Sequence, residues 1–250
     1  WLIATLGWRP ALGCLAALQF LVCAPLHATL LRHAPAGRAG TAAQPAHHEF
    51  GRHLRSAPFL LIGVFVVLVM GATAALPPHM VSLLRESGLS EAWAITVPAS
   101  IGLVQVFGRA LLYFFEHHVD VHSANRIIPC FLPLGLACLL AAPWLGAWGA
   151  GWGLALVWLF VLLYGMGNGM VTIVKGTVIA QYVDRDHVAS LNGALGVPTA
   201  LARAAAPLVL GLLWTREAGY GRGLALLLAL TVVAVGALLL AQRLALARQR

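Results

Sequence analysis

Long apolar runs separated by short polar segments set the pattern of the chain. A helix needs about 20 mainly apolar residues to cross the hydrocarbon core of a bilayer. Seven runs reach that length, over residues 9–31, 57–81, 92–115, 127–147, 153–181, 189–214 and 223–242. Apolar and polar residues do not alternate at every second position, so a transmembrane β-barrel is excluded. Helices remain, because each satisfies its own backbone polar groups in lipid. The fold expected is all-α, a polytopic transmembrane helix bundle of seven spans.

The spans differ in their polar content. In the third, Gln105 and Arg109 are four residues apart and share a face. In the fifth, Tyr164, Asn168, Thr172 and Lys175 stay within a narrow arc at about 100° per residue. Asn192, Thr199 and Arg203 do the same in the sixth. The second carries Thr73 and His79, and Pro77-Pro78 breaks its outer end. The fourth and seventh have almost nothing polar in their middles. Some helices therefore line a hydrophilic cavity and others buttress it. Asn168, Thr172, Asn192 and Thr199 equally suit hydrogen bonding between helices, and Lys175 suits snorkelling toward the inner surface. Arg109 and Arg203 have no cheap structural use, since a mid-bilayer charge costs at least about 2.5–3.5 kcal/mol. The acidic residues Glu49, Glu86, Glu91, Glu116, Asp120, Asp184, Asp186 and Glu217 all fall in loops or at helix ends. The candidate substrate-binding set is Gln105, Arg109, Tyr164, Asn168, Thr172, Lys175, Asn192 and Arg203, with His79 in an outer vestibule. Gly165 and Gly169 add a small-xxx-small face for close helix packing.

Composition agrees with lipid as the solvent. Of the 250 residues, 60% are hydrophobic and 10% charged, and mean hydropathy is +0.86. A soluble domain carries about a quarter charged residues. The net charge of +8 sits in loops and at the C-terminus, which suits membrane orientation and not nucleic acid. With the N-terminus outside, the inner segments hold Arg32, Arg38, Arg52, Arg55, Arg126, Arg185, Arg243, Arg248 and Arg250. The outer ones hold only Arg9, Arg85, Arg216 and Arg222, so the C-terminus is expected in the cytoplasm. Trp1, Trp8, Trp93, Trp144, Trp148, Trp152 and Trp214 fall at the outer boundary, where indoles favour the headgroup level.

Residues 32–56 form the longest polar segment, with His33, His47, His48 and His53 among arginines, prolines and glycines. It reads as a solvated basic linker and not as a metal site. The cluster Glu116, His117, His118, Asp120 and His122 reads as a solvated turn. Cys14, Cys23, Cys130 and Cys138 lie in apolar runs without ligand spacing and are expected to be buried. No nucleophile–base pair, phosphate-binding glycine loop or nucleic-acid motif is present. No enzyme activity, cofactor or resident metal is expected. Trp1 opens the chain, and its first run contains Arg9-Pro10 without a cleavage site. It does not read as a signal peptide, and the chain is expected to be a fragment of a longer protein.

Several local sequences resemble the major facilitator superfamily, in its C-terminal half with one preceding helix. Gly7-Trp8-Arg9 resembles the start of the sixth helix of bacterial members, and Leu31-Arg32-His33-Ala34-Pro35 its exit into the central cytoplasmic loop. Leu84-Arg85-Glu86-Ser87-Gly88-Leu89-Ser90 resembles the outer turn between the seventh and eighth helices. The stretch from Ile101 through Gln105 to Arg109 resembles the eighth helix of monocarboxylate-transporter-like bacterial members. Tyr164-Gly165-Met166-Gly167-Asn168-Gly169 with Thr172 to Thr177 resembles their tenth. The resemblance implies helices six to twelve of a twelve-helix fold. Residues 1–31 would end a missing N-terminal half, 32–56 would be the cytoplasmic linker, and 57–250 the six-helix C-terminal half. It also implies that the seventh, eighth, tenth and eleventh helices face the cavity, which matches the polar spans. Relatives of that subtype carry an acid where Gln105 stands here, so proton coupling at that position does not carry over.

The function this implies is secondary active transport of a small organic, anionic solute by alternating access, the chain being a partial transporter. Its partners would be a carboxylate-bearing solute, the lipid bilayer, the missing half and a coupling proton, but no nucleic acid. A multi-pass protein of a bacterial inner membrane is the expected setting. A seven-helix receptor is the alternative, followed by an intramembrane enzyme. A retinal protein is disfavoured because the single lysine, Lys175, is in the fifth span and no acid lies within the membrane.

Overall fold

The computed structural model describes residues 5–30, 47–146 and 150–247. They form helices and no strand, beyond one isolated bridge between Thr215 and Gly219. The chain divides into two compact units, residues 1–44 and 45–250. The described part of the first is one long helix, α1 (Trp8–Leu30), with Pro25 inside it. Arg32, His33 and Arg38 of the expected linker, and Trp1, Trp148, Arg248 and Arg250, lie outside the described residues.

The second unit opens with α2 (His47–Leu54) and α3 (Ala57–Ala75). Ser56 caps α3 by accepting from the Phe59 amide at 3.4 Å, and Pro58 fits the first turn, where no amide is needed. The predicted second span stops early, at Ala75. Pro77-Pro78 halts it, and a short helix α4 (Met80–Glu86) follows. Gly88, at φ +84°, closes α4 in the left-handed conformation that glycine tolerates. Next come α5 (Glu91–Phe115), α6 (Val121–Ile127) and α7 (Phe131–Gly146). The long α8 (Ala150–Tyr182) follows, then α9 (Val188–Ala194), α10 (Gly196–Leu212) and α11 (Gly221–Ala247).

Among the described residues, seven stretches are helical, long and apolar enough to cross a membrane. They overlap the seven predicted runs, but two are not single helices. The fourth crosses α6, a 3-10 turn at Ile128–Cys130 and α7. The sixth joins α9 to α10 through Leu195, where Pro198 leaves the Ala194 carbonyl without its usual amide.

Within the second unit, α8 packs on α5, α7 and α3, while α11 packs on α3, α7 and α10. Helix α3 also holds α10. Thus α5 and α10 flank a core of α3, α7, α8 and α11. Only 17% of the apolar window is buried in α5 and in the α9–α10 span, against 50% in α3 and in α8. The cysteines depart from expectation. All four are free, Cys14 is exposed, and Cys23, Cys130 and Cys138 are half-buried. A helix surface facing lipid is apolar without protein cover, so an apolar run does not imply burial in protein.

Glycines set the distance between α5 and α8. A methyl on Gly169 would lie 2.5 Å from the Gln105 carbonyl oxygen, and one on Gly108 would lie 3.1 Å from the Met166 Cα. Backbone cannot yield as a side-chain end can. Gly169→Ala should therefore cost about 1–3 kcal/mol of stability through overpacking. Gly176→Ala, which meets nothing within 4 Å, should be neutral or slightly stabilising. Thermal unfolding of the two variants in detergent micelles checks the contrast.

Candidate functional site

The close α5–α8 contact gathers part of the predicted set around one backbone carbonyl. Arg109 Nε donates to the Gly169 oxygen at 3.0 Å, and Thr172 Oγ1 donates to the same oxygen at 2.9 Å. Gln105 stands one turn before Arg109, its backbone against Gly169. Arg109 and Thr172 are exposed, while Gln105, Asn168 and Lys175 are half-buried. No described acidic side chain is within ion-pairing distance of Arg109, Lys175 or Arg203. The Arg109 terminal amino groups remain free to bind a further acceptor.

Tyr164 lies apart from this group, in the core. It is 2% exposed and stacked on Phe160 at 5.1 Å. Pro77 cannot donate to the Thr73 carbonyl, and the Tyr164 hydroxyl approaches that oxygen at 3.4 Å. Tyr164 thus ties α8 to the broken end of α3.

Asn192 and Arg203 belong to the other flank. The Asn192 amide donates back to the Val188 carbonyl at 3.0 Å. Arg203 is exposed, beside Ala202, whose Cβ lies 3.5 Å from where a methyl on Gly71 of α3 would be. Pro207 offers no amide to the Arg203 carbonyl, so polar backbone and charged side chain coincide there. Thr199 is buried, and its hydroxyl has no partner among the described residues.

His79 is not the open vestibule residue expected. Its Nε2 donates to the Pro207 carbonyl at 3.0 Å, which fixes the tautomer, so Nδ1 accepts from the Tyr220 hydroxyl at 3.2 Å. The ring therefore staples the end of α3 to α10 and to the start of α11.

Sequence reasoning missed a second polar cluster, where α6, α8 and α11 meet. Gln242 is 2% exposed and accepts from Arg126 Nε at 2.8 Å. Its amide donates to the His122 carbonyl and to the Tyr182 hydroxyl, both at 3.0 Å. Asn125 also donates to that hydroxyl, at 3.2 Å, so the Tyr182 proton goes to His122 Nδ1 at 3.0 Å. His122 is thus structural, while Asp120 accepts from the Ser123 amide at the start of α6. The signal was Gln242 itself, an amide at the end of an otherwise greasy span.

Several charges near the span ends have local partners. Arg85 meets Glu91, and Glu86 accepts from Trp214 Nε1 at 2.9 Å. Burial and the Glu86 charge both push the Tyr220 phenol above its usual range. Asp184 accepts from the His187 ring and, at 2.9 Å, from the His187 amide. Burial would raise the Asp184 carboxyl, but the two hydrogen bonds from His187 hold it below the usual range. A depression of about 1410 Å³ lies between the α4–α5 turn, the facing ends of α7 and α8, and the α10–α11 turn. Glu86, Trp93, Trp144, Trp214, Arg216 and Arg222 help to line it, and none of the predicted substrate residues does.

The family model described as the Major Facilitator Superfamily matches residues 1–207. No curated protein and no solved structure matches the chain.

The buried cluster makes a stability prediction. Gln242→Leu strands Arg126 Nε and the His122 carbonyl, and should cost about 1–3 kcal/mol. Tyr182→Phe removes the shared hydroxyl. The double variant should lose clearly less than the sum, because both changes break one network. Denaturation of the three variants in micelles measures the coupling.

Proposed function

The chain belongs to the Major Facilitator Superfamily, and we propose that it serves secondary active transport of a small organic anion by alternating access. Family membership and seven apolar helices make it an integral, multi-pass membrane protein of a solute-transporting family. The anion is our reading, and Arg109 carries it. One guanidinium nitrogen is anchored on the Gly169 carbonyl, the terminal amino groups are free, and no described acid neutralises the charge. A planar fork held this way suits a carboxylate, which accepts paired hydrogen bonds. Thr172 and Gln105 beside it would contact the solute, with Asn168 and Lys175 on adjoining turns. Arg203 and Asn192, on the far side of α3, would meet it from the opposite flank. Tyr164 would act by holding α8 against α3.

The little-buried α5 and α10 support the rest of the reading. Their exposed faces would meet an N-terminal half, and the solute would lie between the two halves. The monocarboxylate-transporter-like subtype, a bacterial inner membrane and a cytoplasmic C-terminus complete the proposal. An amide at residue 105 does not titrate, so a coupling proton would have to use another group.

Uptake of labelled monocarboxylates into proteoliposomes under an imposed pH gradient tests the reading, with the full-length gene product. Arg109→Ala should abolish uptake with insertion and folding unchanged. Arg109→Lys should keep the charge but lose the fork, weakening apparent affinity by about tenfold or more. Uptake indifferent to both changes would make Arg109 structural. In a cysteine-free background, Thr172→Cys and Arg203→Cys should react with a membrane-impermeant thiol reagent. Val232→Cys, exposed on α11, should not. Equal labelling at all three positions would remove the distinction between a wet and a lipid-facing surface.

A further inference from the structure

We infer that His53, Asp184 and His187 form a binding site for a divalent transition-metal cation, which ties α2 to the turn between α8 and α9. The three side chains come from segments far apart in sequence. Each offers a ligand atom, and these atoms lie within 4.8 Å of one another. The His53 and His187 rings face each other at 5.5 Å between centroids, tilted by 33°.

The hydrogen bonds leave one ring atom set aside. Asp184 Oδ2 accepts from His187 Nδ1, so the proton of the neutral ring is on Nδ1 and Nε2 carries a lone pair. The His187 side chain is 10% exposed, and its Nε2 is buried without a partner among the described residues. A buried, unpaired nitrogen is costly. A carboxylate on one imidazole nitrogen with the other turned to an ion is the usual support of a metal-bound histidine. The backbone holds the group in place. Asp184 Oδ2 also accepts from the His187 amide at 2.9 Å. Ser56, the cap of α3, donates from its amide and hydroxyl to the His53 carbonyl at 3.1 and 2.7 Å.

His187 Nε2 and a His53 ring nitrogen are the nitrogen ligands. Asp184 orients His187 from the nitrogen turned away from the ion, and water completes the shell. Imidazole ligands backed by a carboxylate suit zinc, copper or nickel and not calcium or magnesium, which prefer all-oxygen shells. Zinc holds nitrogen at about 2.0–2.1 Å, so His53 has to swing inward on binding. The bound ion fixes the helix leading into α3 to the turn joining α8 and α9. This inference does not depend on which solute is carried.

Titration of the purified chain, in micelles and without a histidine tag, with Zn²⁺ by calorimetry and with Co²⁺ by visible absorption tests it. One tight equivalent is expected, with the absorption of nitrogen-ligated cobalt. His53→Ala, on half-buried α2, should weaken binding by about tenfold or more and leave thermal unfolding without metal unchanged. Asp184→Asn should weaken it by about 10–100-fold, as for other orienting carboxylates. Retention of that equivalent at unchanged affinity in His53→Ala overturns the site. So does its loss in a His117→Ala, His118→Ala double variant with His53 intact, and so does the absence of any equivalent at micromolar Zn²⁺.

Discussion

Hydrocarbon offers no hydrogen-bond partner, and the architecture follows from that. Backbone polar groups must be satisfied within the chain, so the spans are helical and the breaks fall where other groups can step in. The proline break in α3 shows this. Pro77 removes a donor from Thr73, and the Tyr164 hydroxyl approaches the freed carbonyl. His79, just past that break, donates from Nε2 to the Pro207 carbonyl inside α10. Both bonds join different helices. The broken end of α3 has become a place where the bundle is stapled.

The same constraint governs contact between helices. Lipid tails are as apolar as leucine, so burial alone does not drive helices together, and close packing must. Helix α8 meets that need with small residues on more than one side. Gly165 and Gly169 turn to α5, and Gly167 turns to Phe131 and Leu132 of α7. The α5 contact also shapes the candidate site. Because the Gly169 backbone comes so near α5, its carbonyl can receive Arg109 from across the interface and Thr172 from its own helix.

Features written in one segment were legible in the sequence. The seven apolar stretches, the stop at Pro77-Pro78 and the turn at Gly88 each depend on a few adjacent residues. The i, i+4 spacing also placed Gln105 and Arg109 together. Features that need two distant segments were not legible. Tyr164 follows the same spacing as Asn168 and Thr172, yet its ring turns into the core, because α3 supplies an acceptor there. His122 looked like part of a solvated acid–histidine turn until Tyr182 and Gln242 closed around it. His53 and His187 are separated by four apolar stretches, and no spacing rule links them. Burial of the cysteines failed for a different reason, since hydropathy reports removal from water and not contact with protein.

The distribution of charge gives the candidate site its sign. The acids whose partners are described are engaged near the ends of spans: Glu91 with Arg85, Glu86 with Trp214, Asp120 with Ser123, and Asp184 with His187. Each neutralises or caps something local, and none projects toward Arg109 or Arg203. Moving an acid inward would have been the simplest way to offset a cation that costs at least about 2.5–3.5 kcal/mol at mid-bilayer. Helix packing does not forbid it, since α5 and α10 are open along most of their length. A site selected only for stability would place that carboxylate or replace the arginine with leucine. Two arginines kept on the open flanks, one held by a backbone carbonyl that leaves its charge uncancelled, favour a negative group that arrives and departs.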